Sequence, residues 1–233
     1  MKAKQLSQIK YKLCCFIILI LTVQQASAQV DYSFGLNKKG FRLGIGVGLS
    51  TINTHYQSNP AQIVGVGSLD YDFNPYFSIG LEAQGGYLKG VDKLGHLYYQ
   101  TSKNQYLDAN INFRVAIGLI SDFYAKNNFQ DIVKNIYIGA GVGRLRTSNT
   151  FTIYPSQVPP QYTMPILQMW SFPFNLGTNI NIRGSSGADR FSINPNFQFS
   201  YVNNYYLDGY RTSDFSHLKG FYKLTSVRVK YKF

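Results

Sequence analysis

The sequence predicts an all-β protein, a transmembrane antiparallel up-and-down β-barrel of eight strands. Three observations predict it. Apolar side chains recur at every second position along most of the chain, which is the period of a β-strand. After residue 28 no uncharged apolar run reaches the roughly 18 residues of a membrane-spanning helix. The chain also begins like an exported protein.

Residues 1–28 are predicted to form a cleaved signal peptide. The first twelve positions hold four lysines and no acidic residue, an apolar run follows from Leu13 to Val23, and Ala26-Ser27-Ala28 is an A-x-A cleavage site. A lipoprotein anchor at Cys14 or Cys15 is the alternative, but the apolar run follows these cysteines instead of preceding them. We therefore expect residues 29–233 to form one outer-membrane β-barrel domain.

Removal of the signal peptide excludes several kinds of chemistry. Both cysteines leave with it, so the mature chain has no disulfide, no thiol nucleophile and no cysteine metal site. The 19 basic and 11 acidic residues that remain could suggest a nucleic-acid partner, but we expect none for an exported chain. No cofactor is expected.

Eight segments of the mature chain alternate between apolar and polar residues. Each exceeds the roughly 9–11 residues of a tilted membrane strand. In the last one, Val227 and Val229 lie on one face, and Arg228 and Lys230 lie on the other. The segments are 40–52, 61–73, 76–89, 104–120, 135–147, 165–183, 190–203 and 217–233.

A secreted soluble β-protein would also alternate, but three features favour the membrane. The polar faces carry charges, amides and glycines, as the lumen of a barrel does. Aromatic residues collect at strand ends, for example at Phe73 and Phe77, as in the aromatic girdles of membrane barrels. The strands also exceed the usual soluble length of about 5–6 residues. The predicted location is the outer membrane of a Gram-negative bacterium.

With both termini in the periplasm, the connections divide into two sets. The outer loops are 53–60, 90–103, 148–164 and 204–216, and the inner turns are 74–75, 121–134 and 184–189. Inner turns are normally the shorter set. Segment 121–134 is long for an inner turn, and we expect a short helix there that is capped near Ser121 or Asp122.

Two stretches and the last strand resemble a known group of proteins. The stretches are 69–81 (LDYDFNPYFSIGL) and 137–143 (YIGAGVG), and the last strand ends in Phe233. Together they resemble the eight-stranded outer-membrane β-barrel proteins of Bacteroidota type, including PorT-like proteins, and more distantly the OmpA and OmpX barrels. The resemblance implies that the barrel assembly machinery reads the last strand, at Val227, Val229, Tyr231 and Phe233. It also implies a role in protein export or envelope assembly.

Charged residues on the polar faces are predicted to line the lumen as an ionic network. Glu82 and Arg114 lie on adjacent predicted strands and come within a few residues of register. A surplus of lumen cations alternatively suggests a narrow anion-preferring pore. The predicted network comprises Arg42, Glu82, Asp108, Arg114, Arg183, Arg190, Arg228, Lys230 and Lys232.

Catalytic and metal sites are not expected. Gly44-x-Gly46-x-Gly48 does not fit a phosphate-binding loop, and we expect its glycines to face a crowded interior. The three histidines have no metal-ligand spacing. His55 and Ser58 are similar to the His-x-Ser-Asn segment of lipid A deacylases, but one extra residue separates them. A lipid-modifying enzyme of this kind is the alternative function.

Aromatic residues in the outer loops are the remaining candidate for function. Tyrosine and arginine are enriched in binding hot spots, so these loops are predicted to form a surface for an envelope protein partner, or to rest in lipid and lipopolysaccharide headgroups. The function predicted is that of a non-enzymatic structural or interaction barrel. The loop residues are Phe151, Tyr154, Tyr162, Tyr205, Tyr206, Tyr210 and Arg211.

Overall fold

Ten strands and two short helical segments make up the part of the chain that the structure, a computed structural model, describes. That part is residues 39–53, 58–92, 99–119, 128–154, 161–163, 165–182, 190–203, 207 and 220–233. The predicted signal peptide lies outside it. The strands are β1 Gly40–Asn53, β2 Gln62–Asn74, β3 Phe77–Asp92, β4 Tyr99–Ala116, β5 Ile136–Tyr154, β6 Gln161–Thr163, β7 Leu167–Thr178, β8 Ile180–Ile182, β9 Phe191–Val202 and β10 Phe221–Lys232.

The strands pair antiparallel into a closed ring. Each strand bonds its neighbours in the order β10-β1-β2-β3-β4-β5-β7-β9, and β10 also pairs with β9, so the sheet returns to its start. The short strand β6 continues the line of β7 along β5, and β8 continues it along β9. These three strands therefore act as one, and the predicted barrel of eight strands is confirmed.

At one end of the ring the strands extend beyond the segments in which apolar and polar residues alternate. Strand β4 begins at Tyr99, β5 continues to Tyr154, and β6 pairs with it through Phe151 and Tyr162. Within the predicted outer loops 90–103 and 148–164, residues 90–92, 99–103, 148–154 and 161–163 lie in strands, so the prediction that they form loops is wrong. Backbone pairing needs no apolar side chain, and the threonines of this stretch favour extended backbone.

The opposite end carries the inner turns, and we call it the terminal end because Gly40 and Phe233 lie there. Between β2 and β3 the side-chain Oδ1 of Asn74 accepts the backbone N–H groups of Tyr76 at 2.8 Å and Phe77 at 2.7 Å. Such a side-chain bond replaces a backbone one and fixes a tight turn.

The connection from β4 to β5 also lies at the terminal end. Residues Ile117–Leu119, predicted as strand, form a single 3-10 turn as the chain leaves the ladder. The helix α1, Asn128–Lys134, lies within the predicted helical segment. Ser121 and Asp122, predicted to cap it, lie outside the described residues. None of the helices that the structure describes is long and apolar enough to cross a membrane.

The two faces of the ring are opposite in character to those of a soluble protein. Most outward side chains toward the terminal end and the middle of the ring are apolar and exposed, with Ile45 and Ile63 each 75% accessible. Inward side chains are mostly polar or charged and are buried. Near the end opposite the termini, which we call the loop end, the interior also holds an apolar cluster beside buried polar residues such as Asn104 and Thr147.

Candidate functional site

The interior at the terminal end is built from ion pairs. Asp72 receives Arg42 Nη2 at 2.5 Å and Lys232 Nζ at 3.5 Å. One layer deeper, Asp70 receives Arg114 Nη1 at 2.5 Å and Lys230 Nζ at 2.7 Å. Alternation places these side chains inside, because successive residues of a strand point to opposite faces.

Glu82 connects β4 and β10 within this network by bonding one arginine from each strand. Its Oε2 atom accepts Arg114 Nη2 at 3.1 Å and also Arg228 Nη1. Arg228 is 0% exposed and Arg114 is 3% exposed. A buried charge is tolerable only when it is paired, and here each carboxylate binds two cations. The structure thus brings Arg42, Glu82, Arg114, Arg228, Lys230 and Lys232 of the predicted network together, and adds Asp70 and Asp72.

Asp108 lies inside the barrel but corrects the prediction in its partners. Among the described residues no cation bonds it. Its Oδ2 accepts the hydroxyl of Tyr222 at 2.6 Å and Gln84 Nε2 at 3.0 Å, and its Oδ1 accepts the hydroxyl of Ser171 at 2.8 Å. Asp108 pairs with Gln84 across β3 and β4, one inward position closer to the loop end than Glu82, so it lies beyond the reach of the cations.

Amide side chains fill the remaining polar interior. Asn175 Nδ2 donates to Asn112 Oδ1 at 3.0 Å, and Asn196 Nδ2 donates to Asn175 Oδ1 at 3.0 Å. The hydroxyl of Tyr137 donates to Asn196 Oδ1 at 2.9 Å and accepts Asn194 Nδ2 at 3.0 Å. These bonds cross from β4 to β9 and hold the ring together from inside.

Two arginines of the predicted network are not part of it as described. Arg190 is exposed, and its Nη1 lies 3.5 Å from the hydroxyl of Tyr231. It precedes β9 by one residue, and although its carbonyl accepts the backbone N–H of Lys232 at 2.7 Å, its side chain is exposed at the rim of the barrel. Arg183 lies outside the described residues.

The interior near the loop end is an apolar plug that the sequence analysis missed. The ring centroids of Tyr106 and Tyr222 lie 5.4 Å apart. Leu207, from the connection between β9 and β10, is buried beside them in the same cluster. Asn104 Nδ2 fixes that connection by donating to the carbonyl of Leu207 at 2.6 Å. The plug comprises Ile52, Val64, Val66, Leu88, Tyr106, Leu145, Met169, Val202, Leu207, Tyr222 and Leu224.

The interior glycines face crowded surroundings that leave no room for a side chain, as predicted. A Cβ atom on Gly46 would overlap the backbone of Val227 and Arg228, and one on Gly80 would overlap the carboxylate of Asp70. A Cβ on Gly141 would overlap the side chain of Asn112. Small residues at these positions give the charged and amide side chains their space.

The last strand has the predicted division of faces. Val227 and Val229 are 52% and 49% exposed on the outside, and Lys230 is 1% exposed on the inside. Its end belongs to an aromatic arc around the terminal end. Ring centroids lie 5.0 Å apart for Phe191 and Tyr231, and 5.2 Å apart for Tyr231 and Phe233. Across the seam with β1 the arc continues through Phe41, Tyr71, Phe73 and Phe77.

The predicted partner loops are only partly described. Phe151 and Tyr154 lie in β5 and Tyr162 lies in β6, so they belong to paired strands and not to loops. Tyr205, Tyr206, Tyr210 and Arg211 lie outside the described residues, as do the three histidines. The part of the chain that is described holds no group of three or more metal-ligating side chains.

Comparison with known proteins gives similar solved structures but no family. No family model matches the chain, and no curated protein matches it. Ail, the attachment invasion locus protein of Yersinia pestis, is 13% identical over 84% of this chain and 99% of its own, with a TM-score of 0.46. CarO of Acinetobacter baumannii is 12% identical over 81% and 97%, with a TM-score of 0.45. OprG, an outer membrane protein of Pseudomonas aeruginosa, is 12% identical over 84% and 97%, with a TM-score of 0.43. At these values the fold assignment rests on the strand pairing of this chain itself.

Proposed function

We propose that this chain is an integral β-barrel of a Gram-negative outer membrane, with both termini in the periplasm, and that it acts as a structural or interaction protein. The observation that carries the proposal is the reversal of faces. Outward residues such as Ile45 and Val47 are exposed and apolar, while Arg228 and Lys230 are buried inside. Such a surface suits lipid, because exposed apolar patches of this extent are rare on soluble proteins.

The aromatic arc supports the membrane location and the orientation. Aromatic side chains concentrate at membrane–water interfaces, and the arc from Phe191 to Phe77 follows the terminal end of the ring. The terminal end also has the tight Asn74–Pro75 turn, as expected for the periplasmic side.

The filled interior favours an anchor over a pore or an enzyme. Ion pairs occupy the lumen at the terminal end, and apolar side chains such as Leu88 and Leu224 occupy it at the loop end. An apolar constriction excludes water and ions. The buried carboxylates bind cations or hydroxyls of the chain itself, so no acid–base pair faces an open cleft in the described part.

The proposed partners follow from the two ends. The last strand, with Val229 and Phe233 at its outward face, would be read by the barrel assembly machinery. The extended strands β4 and β5 would present the loop end to an envelope protein. A role in export or envelope assembly, as in PorT-like proteins, is supported only by the resemblance of the sequence.

Single-cysteine labelling tests the location and orientation together, because the mature chain has no cysteine of its own. We expect a membrane-impermeant maleimide to label Thr152→Cys, at the loop end of β5, in intact cells. It should label Asp131→Cys, in α1 at the terminal end, only after the outer membrane is permeabilised. The opposite labelling pattern would invert the proposed topology. Recovery of the unlabelled protein in the periplasmic fraction would refute the membrane location.

Conductance and hydrolysis assays test the proposed inactivity of the lumen. Purified protein in planar bilayers should show no steady channel, whereas defined conductance steps would favour the anion-preferring pore. Release of fatty acid from lipid A by the purified protein, lost in Ser58→Ala, would favour the lipid-modifying enzyme.

A further inference from the structure

An apolar groove runs obliquely around the outside of the barrel across β1 to β5. Its walls are Leu43, Leu69, Leu81, Ile111 and Val142, its floor is Gly67, Ala83 and Ala109, and its volume is about 710 Å³. That volume is within the range of pockets that hold drug-sized molecules, about 300–1,000 Å³. The groove lies within the lipid-facing apolar belt.

The floor of the groove is not dictated by the packing of the barrel. A Cβ atom added to Gly67 would meet nothing within 4 Å, in contrast to the crowded interior glycines. Glycine weakens a strand, so its use here has no advantage within the sheet itself. The groove is a feature of shape on the surface that faces lipid.

The groove ends at a pair of arginines on β5. Arg144 lines it and stacks on Trp170, with its guanidinium carbon 4.0 Å from the ring centroid. Arg146 follows on the same outward face and lines an adjoining pocket of about 350 Å³. Beyond Val142 the outward residues of β5 are these arginines and then Ser148 and Thr150, so the apolar belt stops here.

A second pair of cations lies farther toward the loop end. Lys89 of β3 and Lys103 of β4 stand directly opposite each other, and Lys103 Nζ lies 4.2 Å from the ring of Tyr87. Like charges directly opposite on a sheet destabilise it, and an anion bound between them would offset that repulsion. Lys103 is four residues from Leu107, the partner of Arg146, which is roughly 13 Å of strand.

Among the strand side chains that the structure describes, no carboxylate lies on the outer face to pair with these cations. Asp70, Asp72, Glu82 and Asp108 are all buried inside. The groove therefore offers apolar contact below, an arginine pair at the edge of the belt, and a lysine pair above. We infer that this face binds lipopolysaccharide of the outer leaflet, with acyl chains in the groove, a lipid A phosphate at Arg144 and Arg146, and anionic inner sugars at Lys89 and Lys103.

The inference rests on the proposed outer-membrane location and deepens it. A phospholipid with a single phosphate would engage the arginine pair alone, since the lysine pair lies farther from the groove. Anionic groups at two heights distinguish a phosphorylated glycolipid from phosphatidylglycerol. The arginines would bind phosphate through bidentate charge-assisted bonds, for which their planar guanidinium groups are suited.

Binding of deep-rough lipopolysaccharide to the full mature protein in detergent micelles, followed by native mass spectrometry, tests the inference. Arg144→Gln with Arg146→Gln should weaken binding at least about tenfold, and Lys89→Gln with Lys103→Gln should weaken it several-fold. Gly67→Leu should weaken it by filling the groove while leaving every charge in place. Phosphatidylglycerol, added as a second probe, should be insensitive to the lysine pair.

Matched controls separate the lipid site from the barrel. Lys223→Gln removes an outward cation on β10, and Thr225→Leu adds an outward leucine there; both should bind like the unmodified protein. All variants must keep the gel mobility shift between unboiled and boiled protein, which reports the closed barrel. The inference would be overturned if the arginine and Gly67 variants bound lipopolysaccharide as tightly as the unmodified protein does, or if Lys223→Gln lost as much binding as the arginine variant. It would also be overturned if the lysine substitutions weakened phosphatidylglycerol binding as much as lipopolysaccharide binding. Loss of the gel shift in the unmodified protein would instead overturn the proposed barrel.

Discussion

Replacing Asp70 by asparagine should strongly destabilise the barrel, because it leaves a buried cation of the ionic network without its carboxylate. Asp70 is 0% exposed and accepts Arg114 at 2.5 Å and Lys230 at 2.7 Å. After the change Arg114 keeps Glu82 at 3.1 Å, but Lys230, itself 1% exposed, has no carboxylate left among the described residues. Leaving a buried charge uncompensated costs about 3–5 kcal/mol.

Urea unfolding in detergent micelles, followed by the gel mobility of unboiled samples, measures this cost. With a urea slope of about 1–3 kcal/mol per molar, a loss of about 3–5 kcal/mol should lower the unfolding midpoint by roughly 1–5 M. Lys230→Met should cost less, because Asp70 keeps Arg114 as a partner. The double variant Asp70→Asn with Lys230→Met should recover part of the loss, because it removes the stranded charge.

Asp131→Asn is the matched control, since Asp131 is a half-buried carboxylate of α1 and not of a barrel strand. Its midpoint should stay close to that of the unmodified protein. A midpoint for Asp70→Asn equal to this control, or a double variant whose loss equals the sum of the single losses, would refute the electrostatic reasoning.

Three further outcomes are expected. Intact-mass measurement of protein extracted from membranes should give Gln29 as the first residue, and an acylated Cys14 would contradict the predicted cleavage. Deletion of Phe233 and the change Val229→Arg should each lower the amount of heat-modifiable protein in outer-membrane fractions, since a lipid-facing cation costs about 2–4 kcal/mol near mid-membrane; unchanged amounts would contradict the face assigned to β10. Tyr222→Phe should cost about 1–3 kcal/mol in the urea assay, because it removes the 2.6 Å bond to the buried Asp108; an unchanged midpoint would show that this bond contributes nothing.

The fold was predictable wherever one face of a strand is apolar and the other is charged. In β10 the alternation of Val227, Arg228, Val229 and Lys230 gives the strand, its faces and its place against lipid at once. The ends of β4 and β5 were not predictable in this way. Their polar threonine and asparagine residues pair through the backbone, which leaves no apolar period in the sequence.

The apolar plug was hidden because both faces of its strands are apolar or small. In β2 the inward Val64 and Val66 alternate with Ile63, Gly65 and Gly67, so the period gives no sign of which face is inside. Its assignment needs closure of the ring, which brings Val64, Leu88 and Leu145 from three different strands into one buried cluster.

The arginines of the outer groove were hidden for a related reason. On β5 the inward positions beside Arg144 are Gly143 and Leu145, and glycine is required at the first because Asn110 and Ser171 occupy the interior there. Assigning every strand cation to the lumen would therefore place Arg144 and Arg146 on the wrong face of β5. The crowding that reverses it comes from β4 and β7, which are distant in sequence.

The ion pairs of the lumen join residues from opposite ends of the barrel sequence. Their carboxylates lie on β2 and β3, whereas Arg228, Lys230 and Lys232 lie on the last strand, about 150 residues later. Until β10 arrives, Asp70 and Glu82 lack these cations and keep their hydration shells, which resist transfer into a dry interior. An unfinished barrel is therefore held back from lipid by its own carboxylates. Pairing of β10 with β1 supplies these cations, so burial of the carboxylates is coupled to closure of the ring.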